Sequence, residues 1–344
     1  MGNLRFGIIG CGLISNWHAD AILQIEGTQL VGATDVNEKA RAAFALKYNI
    51  LAFNSVEELL ASDDVDIVCI CTPSGLHAPL AVKAANAGKH VIVEKPMAIT
   101  LKQADNIIEA CEKNNIKTTV ISQSRFTNSI CKLKNAVDKG LLGRLVSGDA
   151  YMKFYRSREY YDSGGWRGTW EMDGGGALMN QGIHSVDLIQ YIMGPVKTIF
   201  AYTRTLARKI EVEDTAAAVL EYENGALGVI QATTSIYPGL PRRIEVSGDK
   251  GTIIVDGHSI TNWTIEGNEV PDGIEIGKAN RTSASDPAAF GIEGHIMQIS
   301  DMVDAIKNNR NPLVDQYEGK KPVEIILAIY ESSRTGKTIE FSKY

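Results

Sequence analysis

Between Leu4 and Ser122, short β-branched runs alternate with helical patterns, and no other feature limits the fold as tightly. Leu4–Ile9, Gln29–Thr34, Asp66–Cys71, His90–Glu94 and Lys117–Ser122 read as strands. Helical patterns separate them, over Ser15–Ile25, about Asn37–Tyr48, a stretch opening at Ser55, Leu80–Ala87, and Thr100 to about Asn115. Ser55 with Glu58 and Thr100 with Gln103 have capping-box spacing, in which two side chains satisfy a helix's first backbone donors. Gly88 stands where a helix ends on a left-handed residue. The run Asp66–Cys71 is apolar on both faces, as in a strand covered from both sides. Parallel strands need crossover helices, so the alternation predicts an α/β doubly wound parallel sheet of the Rossmann type.

The alternation stops near Gln123. Beyond it, Val146–Tyr155 alternates as a strand, about Ala177–Met193 reads as a helix, and several strands follow. Asn224-Gly225 is a strong hairpin signal, and Ser247–Gly251 is a second turn between strands. Helices over about Ile292–Asn308 and Lys320–Thr335 close the chain. The expectation is two domains: 1–123, binding a dinucleotide, and 124–344, an α+β domain with a large, open, mainly antiparallel sheet. A length of 344 residues suits two domains.

Charge and cysteines narrow the function. With 35 basic and 41 acidic residues the formal charge is −6, which argues against nucleic acid as a partner. The five cysteines form no C-x-x-C pair and lie mostly in apolar runs, as buried reduced thiols do, and no metal is expected. No apolar stretch approaches the roughly 20 residues of a membrane helix, and the N-terminus lacks signal-peptide organisation. A cytoplasmic protein without membrane partners is expected.

The first strand runs into Gly10-Cys11-Gly12-Leu13-Ile14-Ser15 and then a helix. Gly10 allows the tight turn, Gly12 lets a pyrophosphate approach backbone at a helix N-terminus, and Ser15 is small enough for close packing. Asp35 ends the second strand, 23 positions beyond Gly12, near the roughly 20 expected of a ribose-binding carboxylate. A carboxylate there accepts from ribose hydroxyls and repels a 2′-phosphate, and Val36-Asn37-Glu38 supplies no cation. NAD is favoured over NADP.

At Glu94-Lys95-Pro96 the chain comes to resemble the glucose–fructose oxidoreductase/inositol dehydrogenase/MocA (Gfo/Idh/MocA) family. Cys71-Thr72-Pro73 with His77, Gly174-Gly175-Gly176 leading to Asn180-Gln181-Gly182-Ile183-His184 with Asp187, and Glu331–Gly336 extend the likeness along nearly the whole chain. The resemblance implies hydride transfer between a nicotinamide and a carbon bearing a hydroxyl. It implies that Thr72, Pro73, His77 and Glu94 line the nicotinamide half of the cofactor site, and that Lys95 faces the substrate. A cis Lys95–Pro96 bond and a homodimer or homotetramer are part of the same expectation. The full cofactor set joins Gly10, Gly12, Leu13, Ile14 and Asp35 to these residues and Gln123, with Trp166 and Arg167 from the second domain.

Lys95 stands just past the C-terminal end of a parallel strand, where open α/β sheets bind ligands. Beside a nicotinamide and partly desolvated, its ammonium form is disfavoured, which suits acid–base work. Asn180, His184 and Asp187 follow i, i+4, i+7 spacing on the predicted helix and would share one face. Asp187 could then hold one ring nitrogen of His184 while the other meets the substrate hydroxyl. Many family members carry Asp where this chain has Asn180, which cannot accept a proton. The asparagine version resembles members acting on pyranosides or nucleotide-linked sugars. Lys95 and His184 are therefore the expected catalytic pair.

Residues 151–171 hold seven aromatics interleaved with Arg156, Arg158 and Arg167. Rings stack on pyranose faces, and guanidinium forks hold carboxylates or phosphates. Tyr155, Arg156, Trp166, Arg167, Asn180, His184 and Lys95 make up the expected substrate set. The reading is an NAD-dependent sugar dehydrogenase; the alternatives are an inositol or cyclitol dehydrogenase and a non-catalytic NAD-linked sensor.

Overall fold

The computed structural model describes residues 3–267, 269–278 and 291–341. The chain forms two compact units, Met1–Gln123 with Gly291–Val323, and Ser124–Phe290 with Glu324–Tyr344. Residues 291–323, placed with the second domain by their position in the chain, thus group with the first unit.

The first unit holds a six-stranded parallel sheet. Its strands are β1 (Leu4–Ile9), β2 (Thr28–Thr34), β3 (Leu51–Ala52), β4 (Ile67–Ile70), β5 (His90–Val93) and β6 (Thr118–Val120), in the order β3-β2-β1-β4-β5-β6. This is the doubly wound order. Its helices are α1 (Leu13–Ile22), α2 (Glu38–Tyr48), α3 (Val56–Ala61), α4 (His77–Asn86) and α5 (Leu101–Lys113). Asn37 caps α2 by accepting from two backbone N–H groups at 3.1 Å. Thr100 accepts from Gln103 N–H at 3.2 Å, as the capping-box spacing predicts, and Ser55 does the same for Glu58 at 3.0 Å. β4 is buried throughout. The helix Glu293–Lys307 adds Ile299, Met302 and Val303 to the core around Phe6, Ile8, Ile22, Ile67 and Ile92, which is why this late segment belongs here.

The second unit begins with α6 (Asn128–Asp138), β7 (Leu145–Lys153) and the short α7 (Arg158–Asp162). A π-helical stretch, Ala177–Gly182, leads directly into α8 (Ile183–Met193). Strands β8 (Val196–Arg204), β9 (Thr215–Tyr222), β10 (Leu227–Thr233), β11 (Arg243–Gly248), β12 (Gly251–Asp256), β13 (Ser259–Ile265) and β14 (Ile339–Glu340) follow. With β7 they form an eight-stranded sheet, order β13-β12-β11-β7-β10-β9-β8-β14, antiparallel except for β7 against β10. The β9–β10 hairpin turns at Asn224-Gly225, where Gly225 has φ +84°. Helix α8 covers one face on β7 and β11. The other face leaves Tyr202, Val219 and Leu227 exposed.

All five cysteines are free. Cys69, Cys71 and Cys111 are buried, but Cys131 is exposed, because its position on α6 falls on the outer side. Among the described residues no helix is long and apolar enough to cross a membrane.

Candidate active site

In the first unit, sheet order sets the C-terminal ends of β2, β1, β4, β5 and β6 side by side. These ends carry, in the same order, Asp35, the turn Gly10–Ile14, Thr72-Pro73, Glu94-Lys95 and Gln123. Gly10 has φ +95°, and a Cβ there would lie 2.7 Å from the Cys71 carbonyl oxygen. A Cβ on Gly12, the N-cap of α1, would meet nothing within 4 Å, which leaves the approach of a phosphate open. Leu13 is 62% exposed, Ile14 is half-buried, and the Ser15 hydroxyl donates to the Gly12 carbonyl at 2.6 Å. Asp35 locks this turn: Oδ2 accepts from Cys11 N–H and Oδ1 from Asn37 N–H, both at 2.7 Å. Arg41, beyond the three residues weighed in the sequence, sets Nη1 3.3 Å from the Asp35 main-chain carbonyl. Thr72 Oγ1 and Gln123 Oε1 are buried polar atoms without a hydrogen-bond partner among the described residues, an arrangement that a bound cofactor's polar groups would complete.

Glu94 is 4% exposed and turns its carboxylate inward. Oε1 accepts from His18 Nε2 at 2.8 Å, His295 Nε2 lies 3.7 Å away, and Oε2 accepts from Lys95 N–H at 3.1 Å. Burial works against the charge, but the imidazoles override it and hold this carboxyl well below its ordinary range. Among the described residues these three form the one cluster able to ligate a metal, with ligand atoms within 4.8 Å of one another. Among the described residues neither imidazole has a partner for Nδ1, whereas metal-bound histidine nearly always hands its second N–H to an acceptor. The donor set therefore fits a hydrogen-bonded couple under Lys95 better than a metal centre. His77 is also buried, with Nδ1 2.7 Å from the Pro96 carbonyl and Nε2 2.8 Å from that of Thr72. Burial pushes its pKa down, against the two carbonyls. His77 thus clamps the two loops, and the Lys95–Pro96 bond between them is cis.

In the second unit His184 stands half-buried on the first turn of α8. The expected Asp187–His184 pairing is corrected: Asp187 is bidentate to Arg125, Oδ1 to Nη2 at 2.6 Å and Oδ2 to Nε at 2.9 Å. A buried guanidinium demands that planar, charge-matched partner. The shared face of Asn180, His184 and Asp187 is corrected too. Asn180 lies in the π-helical stretch, whose wider turn breaks i, i+4 registration. Its side chain donates to Asp173 and accepts from Gln181 Nε2 at 2.7 Å. Met179, Ile183, Val186 and Met193 are buried.

The aromatic–arginine segment divides. Arg156 is buried, donating to the Tyr155 carbonyl and to Gln181 Oε1, both at 2.9 Å; it organises the chain beside Asn180 instead of offering an open fork. Arg167 is half-buried, its guanidinium 4.7 Å from the Trp166 ring and 5.0 Å from Tyr160. Arg208, which the sequence did not single out, lies 5.0 Å from the Tyr155 ring. Arg158 is exposed and paired with Asp162 at 3.4 Å.

Sequence reasoning also passed over His18, His295 and Arg125. His18 falls on the apolar stripe of α1 beside Ala19 and Ile22, and a buried histidine on such a stripe was the one available signal. His295 and Arg125 carry none, because their partners are distant in the chain.

Comparison with known proteins finds one family along most of the chain. The family model described as oxidoreductase family, NAD-binding Rossmann fold, matches residues 4–122, and the GFO/IDH/MocA C-terminal domain matches residues 130–254. Myo-inositol 2-dehydrogenase of Thermotoga maritima is 32% identical over 267 residues, covering 74% of this chain and 75% of that protein. The WlbA dehydrogenase of Bordetella pertussis, solved with NADH and UDP-GlcNAcA, is 34% identical with a TM-score of 0.89, covering 99% of this chain and 100% of that one. Its counterpart from Chromobacterium violaceum, solved with the same two ligands, is 33% identical with a TM-score of 0.90, covering 100% of this chain and 98% of that one.

Proposed function

The chain belongs to the Gfo/Idh/MocA family of NAD-binding oxidoreductases, and from that premise we propose that it oxidises a secondary ring hydroxyl of a nucleotide-linked or other pyranoside sugar to the ketone. The observation that carries this reading is the row of strand ends running from Asp35 through Gly12 and Thr72 to Lys95. Asp35 and the open backbone at Gly12 hold the adenosine and pyrophosphate portions, and Thr72 and Gln123 supply polar contacts further along. Asp35 favours NAD over NADP, since its carboxylate repels a 2′-phosphate.

A bound NAD⁺ would supply the hydride acceptor for the carbinol carbon. His184 removes the hydroxyl proton, and Lys95 stabilises the negative charge developing on that oxygen. Asn180 aligns the hydroxyl by hydrogen bonding without taking its proton. The products are the keto sugar, NADH and one proton.

An anionic substrate, such as the UDP-GlcNAcA bound to the WlbA enzymes, is supported by Arg167 and Arg208 among Tyr155, Tyr160 and Trp166. The myo-inositol 2-dehydrogenase relative favours a cyclitol as the second reading. A non-catalytic sensor would have no need of Lys95. The exposed apolar residues on the outer sheet face support a homodimer or homotetramer, and five free cysteines support a reducing compartment, the cytoplasm. The test is NADH formation from NAD⁺ with acidic UDP-sugars, neutral pyranosides and myo-inositol in parallel. Turnover is expected with the acidic UDP-sugars. Turnover on myo-inositol alone makes the protein a cyclitol dehydrogenase, and none on any substrate contradicts both readings.

A further inference from the structure

Three consecutive backbone N–H groups at the start of the helical stretch carrying His184 are held by one residue from elsewhere in the chain. Gly176 N–H donates to Glu213 Oε2 at 2.8 Å, Ala177 N–H to the Glu213 main-chain carbonyl at 2.9 Å, and Leu178 N–H to Oε1 at 2.8 Å. A helix leaves its first donors without partners inside itself, and Gly176 at the N-cap has no side chain to supply one. Glu213, just before β9, supplies all three acceptors.

The triple glycine is what admits it. A Cβ on Gly176 would lie 1.8 Å from the Glu213 carbonyl oxygen, and one on Gly175 would lie 2.2 Å from the Tyr330 hydroxyl. That hydroxyl donates to Glu213 Oε1 at 2.9 Å. The next residue does the same for another loop: Asp214 accepts from the N–H groups of Leu206, Ala207 and Arg208 at 2.9, 2.7 and 2.8 Å. That loop presents Arg208.

We infer that Glu213 is a positioning residue, which sets the start of the helical stretch bearing Asn180 and His184 by capping it from outside, while Asp214 holds the Arg208 loop. Its effect on turnover rests on His184 acting as the base; the anchoring itself does not.

The test uses the full chain carrying Glu213→Gln. The amide nitrogen of glutamine cannot accept, so one of the carboxylate-bound N–H groups loses its partner. Hydrogen exchange at residues 176–178 is expected to quicken on the order of tenfold, with exchange in β1–β6 unchanged. With it, kcat falls on the order of tenfold to a hundredfold while KM for NAD⁺ stays within about twofold, because misplacement of a reacting group affects the chemical step. Tyr330→Phe removes a donor to the same carboxylate; it gives a smaller shift in the same direction and serves if Glu213→Gln does not fold. Unchanged exchange at 176–178 in both variants overturns the anchoring. Faster exchange with unchanged kcat overturns the positioning role. A His184→Asn variant of full activity, alongside faster exchange in Glu213→Gln, overturns the reading of His184 and leaves the anchoring supported.

Discussion

Asp187 places both carboxylate oxygens on the Arg125 guanidinium, at 2.6 and 2.9 Å, with both side chains buried. The pair ties α8 to the segment at Arg125, and Arg125 also lies 4.3 Å from the Tyr191 ring on α8. Asp187 therefore serves the fold of the second unit and is not the partner of His184, three residues earlier.

The two residues should fail differently. Asp187→Asn strips a buried arginine of its counter-charge, at a cost of about 3–5 kcal/mol. It lowers Tm and leaves the pH dependence of kcat in place. His184→Asn keeps Tm close to the parent and lowers kcat roughly 10²–10⁴-fold. Thermal melts and pH–rate profiles of both variants check this.

Lys95→Met removes the cation proposed to stabilise the alkoxide. Turnover is expected to fall by roughly 10²–10⁴-fold. The Kd for NAD⁺ by calorimetry should stay within about threefold, since Asp35, Gly10 and Gly12 are untouched. A variant that loses NAD⁺ binding along with turnover would place Lys95 in the cofactor site alone.

Asp35→Ser takes away a carboxylate that also accepts from Cys11 and Asn37 N–H. KM for NAD⁺ should rise about tenfold, the scale of one charge-assisted hydrogen bond. The preference for NAD over NADP should narrow as the repulsion of a 2′-phosphate disappears, with Arg41 nearby. Ratios of kcat/KM for the two cofactors measure it.

Glu213 makes stability depend on pH. Burial pushes its carboxyl up to about 7, against two backbone N–H groups and the Tyr330 hydroxyl, from an ordinary 4.5. Between these values the folded chain keeps a proton that the unfolded chain has released. The stabilisation is therefore full below about 4.5 and is lost as pH rises through 7, a difference of about 3 kcal/mol. Tyr330, which faces the carboxylate, is raised well above its ordinary range by burial and by Glu213, and stays neutral throughout. Tm should fall between pH 5 and 8 in the parent, and Glu213→Gln should flatten that slope. Parallel slopes contradict the assignment.

Local patterns carried much of this fold. β1 spans Leu4–Ile9, the Asn224-Gly225 turn joins β9 to β10, and Thr100 caps α5, because each is decided by neighbours in sequence. β3 was not foreseen, since it is two exposed residues held only by β2. Residues 291–323 group with the first unit through side chains that meet Phe6 and Ile8 across the fold, a relation no window of sequence contains. The same limit explains the site. Gly10, Gly12, Asp35 and Lys95 sit at strand ends that topology brings into one row, whereas Asp187 and Glu94 are governed by Arg125, His18 and His295, far away in the chain. The π-helical stretch then altered a face that regular helical spacing had drawn.

Hydride transfer from a sugar carbinol to NAD⁺, with Lys95 and His184 taking part, is the step on which the proposed function stands. Its most direct test is turnover of ring-deuterated acidic UDP-sugars, with the NADH product examined by mass spectrometry. One deuterium on each nicotinamide formed is expected, with a primary isotope effect on the chemical step and loss of label transfer in Lys95→Met and His184→Asn. Label-free NADH, or undiminished transfer in both variants, would contradict it.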